Sequence, residues 1–329
     1  MQNLLQTLCD IKAPSGCESA LADFISEELR PYADEIYRDA LGNLIVHKKG
    51  PGKKLMFCAH MDELGVVATC YGEKGQIYVA ALGGVVPHRI LYKRVRFMNG
   101  TEGVIVPDGD ENDVLKNIKM GKLYVDIGAR DEKTAKAMVA IGESAVFVGD
   151  YVDQGDVIIS KALDDRAGCY ALMRGLMEAK QNAQDVYAVF TVSEELGLRG
   201  AKAVGVSISP DYAVALDVTR TGDTASGPKM STALGKGAAI KIMDSSLITH
   251  PIVKERLKAL CEKRNILWQP EVLERGGTDA GAVHLTGGGV PSGCISIPTR
   301  NIHSPGEMVD KHDLENVVAL VTALIEEGM

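Results

Sequence analysis

The sequence predicts an α/β fold, with a mostly parallel central sheet flanked by helices and a small β-rich, barrel-like domain inserted into it. Two observations predict the α/β part, namely short continuous apolar runs of strand length and amphipathic segments of helical period between them. The apolar runs are residues 55–59, 186–192, 212–216 and 294–297. Such runs are typical of strands that helices cover on both faces, because both faces of the strand are then buried.

Four segments carry the apolar spacing of a helix. One follows Ser15 and Glu18, whose spacing is that of a capping box. A second is expected to begin at Thr249, with Pro251 in its first turn. The other two are residues 167–180 and the apolar stripe that follows Asp313.

The stretch from residue 66 to residue 160 has a different pattern. It is rich in glycine and in short alternating runs, and one short helical segment at residues 131–139 interrupts them. This pattern predicts an inserted β-rich domain over 66–160. Residues 1–65 and 161–329 are then the two parts of a discontinuous α/β domain.

Composition excludes some classes of partner. The chain has 329 residues, of which 46% are hydrophobic, and a formal net charge of −8. That charge argues against nucleic acid or an anionic membrane surface as a partner. No apolar run approaches the roughly 18 residues of a membrane span, and the first residues lack a signal-peptide pattern. Seven scattered cysteines are typical of a reducing compartment, so a cytoplasmic protein is expected.

Side chains that can bind metal follow the predicted strands. In open α/β sheets, ligands bind outside the carboxyl ends of the strands, so these clusters are expected to meet at one edge. The five clusters contain His60, Asp164, the Glu194–Glu195 pair, Asp217 and His303.

Each cluster also has an ordinary explanation. A lone histidine is more often a surface or core residue than a ligand, and adjacent glutamates are common on surfaces. Asp164 alone would serve as a helix N-cap, and Asp217 alone would begin a turn. These separate explanations must all hold together, whereas one shared site accounts for all five clusters.

The donor atoms are sufficient for two divalent ions. His60, Asp164 and Asp217 would bind one ion, while Asp164, Glu195 and His303 would bind the other. Each ion then has one imidazole, one terminal carboxylate and a shared carboxylate, which leaves coordination sites open for water. Nitrogen and oxygen donors without thiolate favour zinc, cobalt or manganese. Asp62, two residues after His60, would face the same way and orient His60 or its surroundings.

Six motifs in order carry a family resemblance: CAHMDELG, ALDDRAG, SEELGLRGA, ALDV, GGTDAGAVH and IPTRNIHSPGEMV. With them the chain resembles the tetrahedral (TET) or glutamyl aminopeptidases, a family of dinuclear metallopeptidases of which some members are labelled endoglucanases. The resemblance covers nearly the whole chain. It implies the same five ligands and a bridging Asp164. It also implies that Asp62 contacts a ligand rather than a metal ion.

The resemblance also implies an activity and an assembly. Glu194 is expected to be the general base that acts on a metal-bridging water, and the substrates are expected to be peptides with a free N-terminus. The insertion is expected to mediate dimerisation, with dimers assembling into a tetrahedral dodecamer. Asn301 departs from the family pattern, which has an aromatic residue at this position. The resemblance therefore does not determine the wall of the substrate pocket there.

Substrate-binding residues are indicated more weakly. Gly276 and Gly277 would let the backbone approach a ligand closely, although a plain turn before a helix explains them equally well. Arg220 lies just after the predicted ligand Asp217, and Arg300 lies just before the predicted ligand His303. Either could attract an acidic first residue of the substrate. The alternative is that they form salt bridges or contacts between subunits.

Three other functions remain open from the sequence. A deacylase or another amidohydrolase would use the same centre, because it also cleaves an amide bond. An endoglucanase needs two carboxylates and no dinuclear centre, which leaves His60 and His303 without a role. A non-catalytic assembly protein with a vestigial site would bind no metal and hydrolyse no peptide.

Overall fold

The computed structural model describes residues 2–225 and 227–329, which form ten α-helices, two 3₁₀ turns and 17 strands. The helices are α1 (Gln2–Asp10), α2 (Ser19–Leu29), α3 (Pro87–Ile90), α4 (Glu111–Lys116), α5 (Glu132–Met138), α6 (Leu163–Glu178), α7 (Arg199–Ile208), α8 (Pro251–Arg264), α9 (Asp279–Val283) and α10 (Lys311–Glu327). The 3₁₀ turns are Arg30–Tyr32 and Met120–Lys122. Among the described residues, no helix is both long enough and apolar enough to cross a membrane.

The strands alternate with these helices mainly from α6 onwards. They are β1 (Glu35–Arg38), β2 (Leu44–Lys48), β3 (Lys54–His60), β4 (Gly65–Tyr71), β5 (Ile77–Leu82), β6 (Arg94–Phe97), β7 (Glu102–Pro107), β8 (Leu123–Asp126), β9 (Ser144–Phe147), β10 (Val152–Asp153), β11 (Val157–Ser160), β12 (Asp185–Thr191), β13 (Tyr212–Thr219), β14 (Ala238–Met243), β15 (Trp268–Val272), β16 (Ser292–Arg300) and β17 (Glu307–Asp310).

Eleven of the described strands form one large sheet. Its order is β1-β2-β12-β3-β13-β16-β17-β11-β10, and β14 and β15 branch from β16. At its centre β12, β3, β13 and β16 run parallel to one another. Antiparallel strands extend the sheet towards both edges. The central parallel strands and the helices around them confirm the predicted α/β fold.

Both faces of the large sheet are covered, as the continuous apolar strands predicted. On β3, Leu55 and Phe57 point into the larger core cluster, which also contains residues of α6 and α10. The intervening residues, Met56 and Cys58, point into a second cluster with residues of α7 and α9. Successive side chains of a strand point to opposite faces, so every residue of this run is buried.

A closed antiparallel barrel lies between the two parts of the large sheet in the sequence. Its strands follow the order β4-β5-β8-β7-β6-β9, and apolar side chains such as Val66, Phe97 and Val125 fill it. This confirms the predicted β-rich, barrel-like unit. The next strands, β10 and β11, lie in the large sheet, where β11 pairs with β17. The exact limits of the inserted domain, at residues 66 and 160, stay a prediction.

Two predicted helix caps are wrong. The helix α2 begins at Ser19 without a side-chain cap, because the side chains of Ser15 and Glu18 bond to distant segments instead. The helix α8 is capped by His250, whose Nδ1 accepts the N–H of Ile252, rather than by Thr249. The other two predicted helices are present as α6 and α10.

Candidate metal centre

The carboxyl ends of the central strands bring the predicted site residues together. His60 is the last residue of β3 and lies opposite Thr191, the last residue of the parallel strand β12. Glu194 lies three residues after the end of β12, with Glu195 next to it, and Asp217 lies near the end of β13. Parallel strands end at the same edge of a sheet, so residues far apart in the sequence share this edge.

Asp164 lies between the two histidines. Its Oδ1 is 3.0 Å from Nε2 of His60, and its Oδ2 is 3.4 Å from Nε2 of His303. Nε2 of His303 is also 3.6 Å from Oε1 of Glu195. Ligand atoms within 4.8 Å of one another occur in two groups of three that share Asp164. The groups are His60–Asp164–Asp217 and Asp164–Glu195–His303.

The two histidine rings are oriented by backbone carbonyl groups. Nδ1 of His60 lies 3.0 Å from the carbonyl oxygen of Asp62, and Nδ1 of His303 lies 3.0 Å from that of Gly84. A carbonyl oxygen can only accept, so Nδ1 carries the proton in each neutral ring and Nε2 keeps a lone pair. Both lone pairs therefore face Asp164, as the ligands of a metal ion require.

Buried carboxylates hold the backbone of the candidate ligands. Asp165 accepts the N–H of His60 at 3.2 Å. The two oxygens of Glu307 accept the N–H groups of Asp164 at 3.0 Å and of His303 at 2.9 Å. The sequence analysis assigned no role to Asp165 or Glu307. Their only signal was their position, one next to Asp164 and the other four residues after His303.

Asp62 contacts its surroundings through both its backbone and its side chain. Its side-chain Oδ1 is 3.5 Å from Nδ1 of His60, so the closer contact to the ring is through the backbone carbonyl. The carboxylate accepts the N–H groups of Glu194 at 3.0 Å and Glu195 at 3.2 Å. It also accepts the hydroxyl of Ser15 at 2.6 Å. Asp62 therefore orients both the His60 ring and the adjacent glutamates.

A cavity of about 390 Å³ opens onto these residues. Besides all five candidate ligands and Glu194, its lining includes the predicted substrate-binding residues Arg220, Gly276 and Gly277. Arg220 is exposed and has neither a hydrogen bond nor an ion pair among residues 2–225 and 227–329. It is therefore available to a ligand in the cavity.

Arg300 and Asn301 lie outside this cavity. Both line a neighbouring cavity of about 370 Å³. The guanidinium group of Arg300 pairs with the carboxylate of Asp223 at 2.6 Å, which is the salt bridge that the sequence analysis kept as an alternative. The side chain of Asn301 donates to the carbonyl oxygen of Gly306 at 3.3 Å.

The electrostatics of the centre favour cations. Burial raises the pKa values of Glu194 and Asp217 well above the usual range of a carboxyl group. Burial and the neighbouring carboxylate of Asp164 raise the pKa of Glu195 to about 7. Buried carboxylates at such short distances repel one another unless cations lie between them. The two groups of nitrogen and oxygen donors therefore fit two divalent ions, with a composition that suits zinc, cobalt or manganese.

The chain is similar to known proteins. The sequence profile of the M42 glutamyl aminopeptidase family matches residues 42–320. A putative aminopeptidase of Acetivibrio thermocellus is 47% identical over 325 residues, which cover 99% of this chain and 98% of that protein.

Solved structures are also similar. An aminopeptidase from the archaeon Desulfurococcus kamchatkensis is 38% identical, with a TM-score of 0.95 over 99% of this chain and 94% of that one. The TET1 peptidase of Pyrococcus horikoshii, which can assemble into a tetrahedron or a large octahedral shell, is 30% identical. Its TM-score is 0.88 over 99% of both chains.

Proposed function

Because this chain belongs to the M42 glutamyl aminopeptidase family and is a peptidase, we propose that it is a dinuclear metal-dependent enzyme that releases N-terminal residues from peptides. The position of Asp164 carries the proposal, since its two carboxylate oxygens face His60 on one side and His303 on the other. One ion would be held by His60, Asp164 and Asp217. The other would be held by Asp164, Glu195 and His303.

Glu194 is the proposed general base. When bound, the two ions supply Lewis acidity that favours deprotonation of water and polarises the scissile carbonyl group. Glu194 lines the same cavity as the ligands, and its backbone N–H is held by Asp62. Its carboxylate accepts the proton of the attacking water and then transfers it to the leaving amine.

Two substitutions separate the roles of base and ligand. Glu194→Gln should keep the metal content of the wild type but lose turnover by about 10²-fold or more, because the amide cannot accept the proton. Asp164→Asn should lose metal, because both groups share that residue. Metal analysis and peptide hydrolysis measure the two effects, with the exposed Glu28→Gln as a control. A fully active Glu194→Gln enzyme would exclude Glu194 as the base.

The same assay distinguishes the related reactions. Purified enzyme reconstituted with zinc, cobalt or manganese would be offered peptides, N-acyl amino acids and cellulose. We expect hydrolysis of the peptides alone and its loss with a chelator. Hydrolysis of the N-acyl amino acids in preference to peptides would identify a deacylase.

Arg220 is the proposed determinant of the first residue of the substrate. It lines the metal cavity without an ion pair among the described residues, and it would attract an acidic side chain. Gly276 and Gly277 line the same cavity and let the backbone approach the substrate. We expect glutamyl anilide to be cleaved roughly tenfold faster than leucyl anilide, since a charge-assisted hydrogen bond contributes about 1.5–3 kcal/mol. Arg220→Gln should abolish that preference.

The barrel is the proposed dimerisation domain, and dimers are proposed to assemble into a tetrahedral dodecamer. Large apolar side chains are exposed on the barrel, among them Leu115, Met138 and Ile141. Exposed apolar surface is typical of contacts between subunits. Light scattering should show a large homo-oligomer, and Ile141→Asp should reduce its mass. Glu28→Gln, at an exposed polar position on α2, is the control, and an unchanged mass for Ile141→Asp would argue against that contact.

A further inference from the structure

Two further cavities lie next to the metal cavity. The metal cavity shares Arg220 and Ile302 with the cavity of about 370 Å³. That cavity shares Arg89 and Asn301 with a third cavity of about 500 Å³. The second and third cavities together are named the exit groove. The shared residues place the exit groove next to the metal cavity.

The exit groove is cationic. Its lining includes Arg89, Lys93, Arg220 and Arg300, and no carboxylate group among the described residues lines it. Arg300 is paired with Asp223, but the other three cations form no ion pair within the described part of the chain. The whole protein has a net charge of −8, so this local excess of positive charge is contrary to its composition.

The cations of the exit groove are partly preorganised. Arg89, on α3, donates a hydrogen bond from Nη1 to the carbonyl oxygen of Ile302, the residue before His303. This bond joins the barrel to the metal centre and keeps a guanidinium group on the wall of the groove. Lys93 follows α3 and is exposed, so its ammonium group can reach a ligand. A fixed cation loses less conformational freedom when it binds an anion.

We propose that the exit groove binds the C-terminal carboxylate of short peptide substrates. The inference rests on the proposed aminopeptidase activity, which requires the ammonium end of the peptide to lie at the metal centre. The rest of a short peptide then extends towards the cavities next to that centre. Its only obligatory charge at the far end is a carboxylate, for which arginine and lysine are the natural partners.

The test compares peptides that differ only in that carboxylate. The enzyme reconstituted with metal is offered tripeptides and tetrapeptides of one sequence as free acids and as C-terminal amides. For at least one length, kcat/KM should be about tenfold higher for the acid, and added salt should reduce the difference. Both forms have the same neutral first residue, so its side chain does not engage Arg220 and the ratio does not depend on selectivity at that residue.

Variants locate the carboxylate site. Lys93→Gln and the Lys93→Gln/Arg220→Gln pair should move the acid-to-amide ratio towards one, whereas the control Lys119→Gln, exposed on the barrel, should not. Equal rates for acid and amide at both lengths would overturn the proposal, and so would a wild-type ratio in the double variant. If neither form is cleaved by any preparation, the aminopeptidase activity itself fails.

A second, independent feature concerns the loop that carries the proposed base. The four successive backbone N–H groups of residues 192–195 each donate to a side chain from another segment. The acceptors are Asn43 at 3.0 Å, Glu18 at 3.0 Å, and the two oxygens of Asp62 at 3.0 and 3.2 Å. Glu18 is 5% exposed, and the other two are fully buried. Side chains thus replace the sheet partners that these groups lack.

The geometry points to Glu18 as a positioning residue for Glu194. Ser193 has a φ of 53°, a left-handed conformation that is unfavourable for serine, and it is the residue whose N–H bonds to Glu18. Without this acceptor, Ser193 can relax, and the carboxylate of the next residue then moves relative to the metal ligands. Glu18 contacts the turn from outside the cavity, so it acts only through the backbone.

The test separates positioning from general stability. Glu18→Ala should lower kcat by roughly 10–100-fold with little change in KM and in metal content, since small displacements of catalytic groups are costly. Glu18→Gln, which keeps an acceptor oxygen, should recover most of kcat. If the alanine variant does not fold, Glu18→Asp, which is too short to reach Ser193, takes its place. Wild-type kcat in the shortened variant, or a glutamine variant as impaired as the alanine one, would overturn the inference.

Discussion

The carboxylate of Glu307 accepts the backbone N–H of His303 at 2.9 Å. Its other oxygen accepts the N–H of Asp164 at 3.0 Å, so one buried side chain fixes the backbones of two candidate ligands. Removing a side chain that holds metal ligands in place typically weakens metal affinity or activity by about 10–100-fold. We expect Glu307→Ala to weaken metal binding by this factor. Titration against a chelator measures it, and Glu28→Ala, exposed on α2, should bind metal like the wild type.

Metal should stabilise the folded chain measurably. The ligands come from several distant segments, so an unfolded chain cannot hold the ions in the same way. At a free metal concentration 100 times Kd, one site stabilises by about 2.7 kcal/mol. A thermal melt should show a higher Tm with zinc, cobalt or manganese than with a chelator. Asp164→Asn should lose this difference in Tm. A wild-type Tm that is the same with metal as with a chelator would contradict the proposed centre.

There is no space for a side chain at Gly200, in the first turn of α7, after the loop that follows β12. A Cβ there would lie 2.3 Å from Oδ1 of Asn43 and 2.5 Å from the carbonyl oxygen of Val192. Asn43 bonds to both ends of this loop, accepting from Val192 and donating to Gly200. Gly200→Ala should therefore destabilise the fold by about 1–3 kcal/mol and lower kcat. Urea unfolding provides the measurement. Gly288→Ala, where nothing lies within 4 Å, should have the wild-type midpoint.

Lys241 and Glu271 form a fully buried ion pair beside the metal cavity, 2.5 Å from Nζ to Oε1. Glu271→Ala leaves the ammonium group without its closest partner and should cost about 3–5 kcal/mol. Replacing both residues, as Lys241→Met/Glu271→Leu, should cost less, because the ammonium group and its closest partner are removed together, although the buried carboxylate of Asp244, 3.6 Å from Nζ, then loses its cation. Urea unfolding of the two variants decides the matter. Equal losses would show that packing, rather than charge, sets the stability there.

The predicted α/β fold was accessible from the sequence because its signals are local. Continuous apolar runs recur at β3, β12, β13 and β16, and amphipathic segments separate the runs. The barrel was recognisable by its alternating pattern and its glycines for the same reason. The expectation that side chains at strand ends share one edge needed only the topology of a parallel sheet. The structure brings His60, Asp164 and His303 together at that edge, and their binding of metal stays a proposal.

Local signals failed where a side chain had a distant alternative. Ser15 and Glu18 have the spacing of a capping box, yet they bond to Asp62 and to the N–H of Ser193. Arg300 was a candidate for substrate binding, and its guanidinium group is paired with Asp223. No pattern within a short window distinguishes such partners, because each depends on which remote segment packs against the residue.

The sequence by itself therefore determined the α/β class with its four central strands, the barrel-like insertion, and the residue types available at the strand ends. Only the tertiary structure decided how these residues are held. It placed Glu307 against the backbones of Asp164 and His303, and it assembled three remote side chains around residues 192–195. The physical reason is that apolar periodicity is a property of neighbouring residues, whereas a buried hydrogen-bond acceptor is assigned only when distant segments pack together.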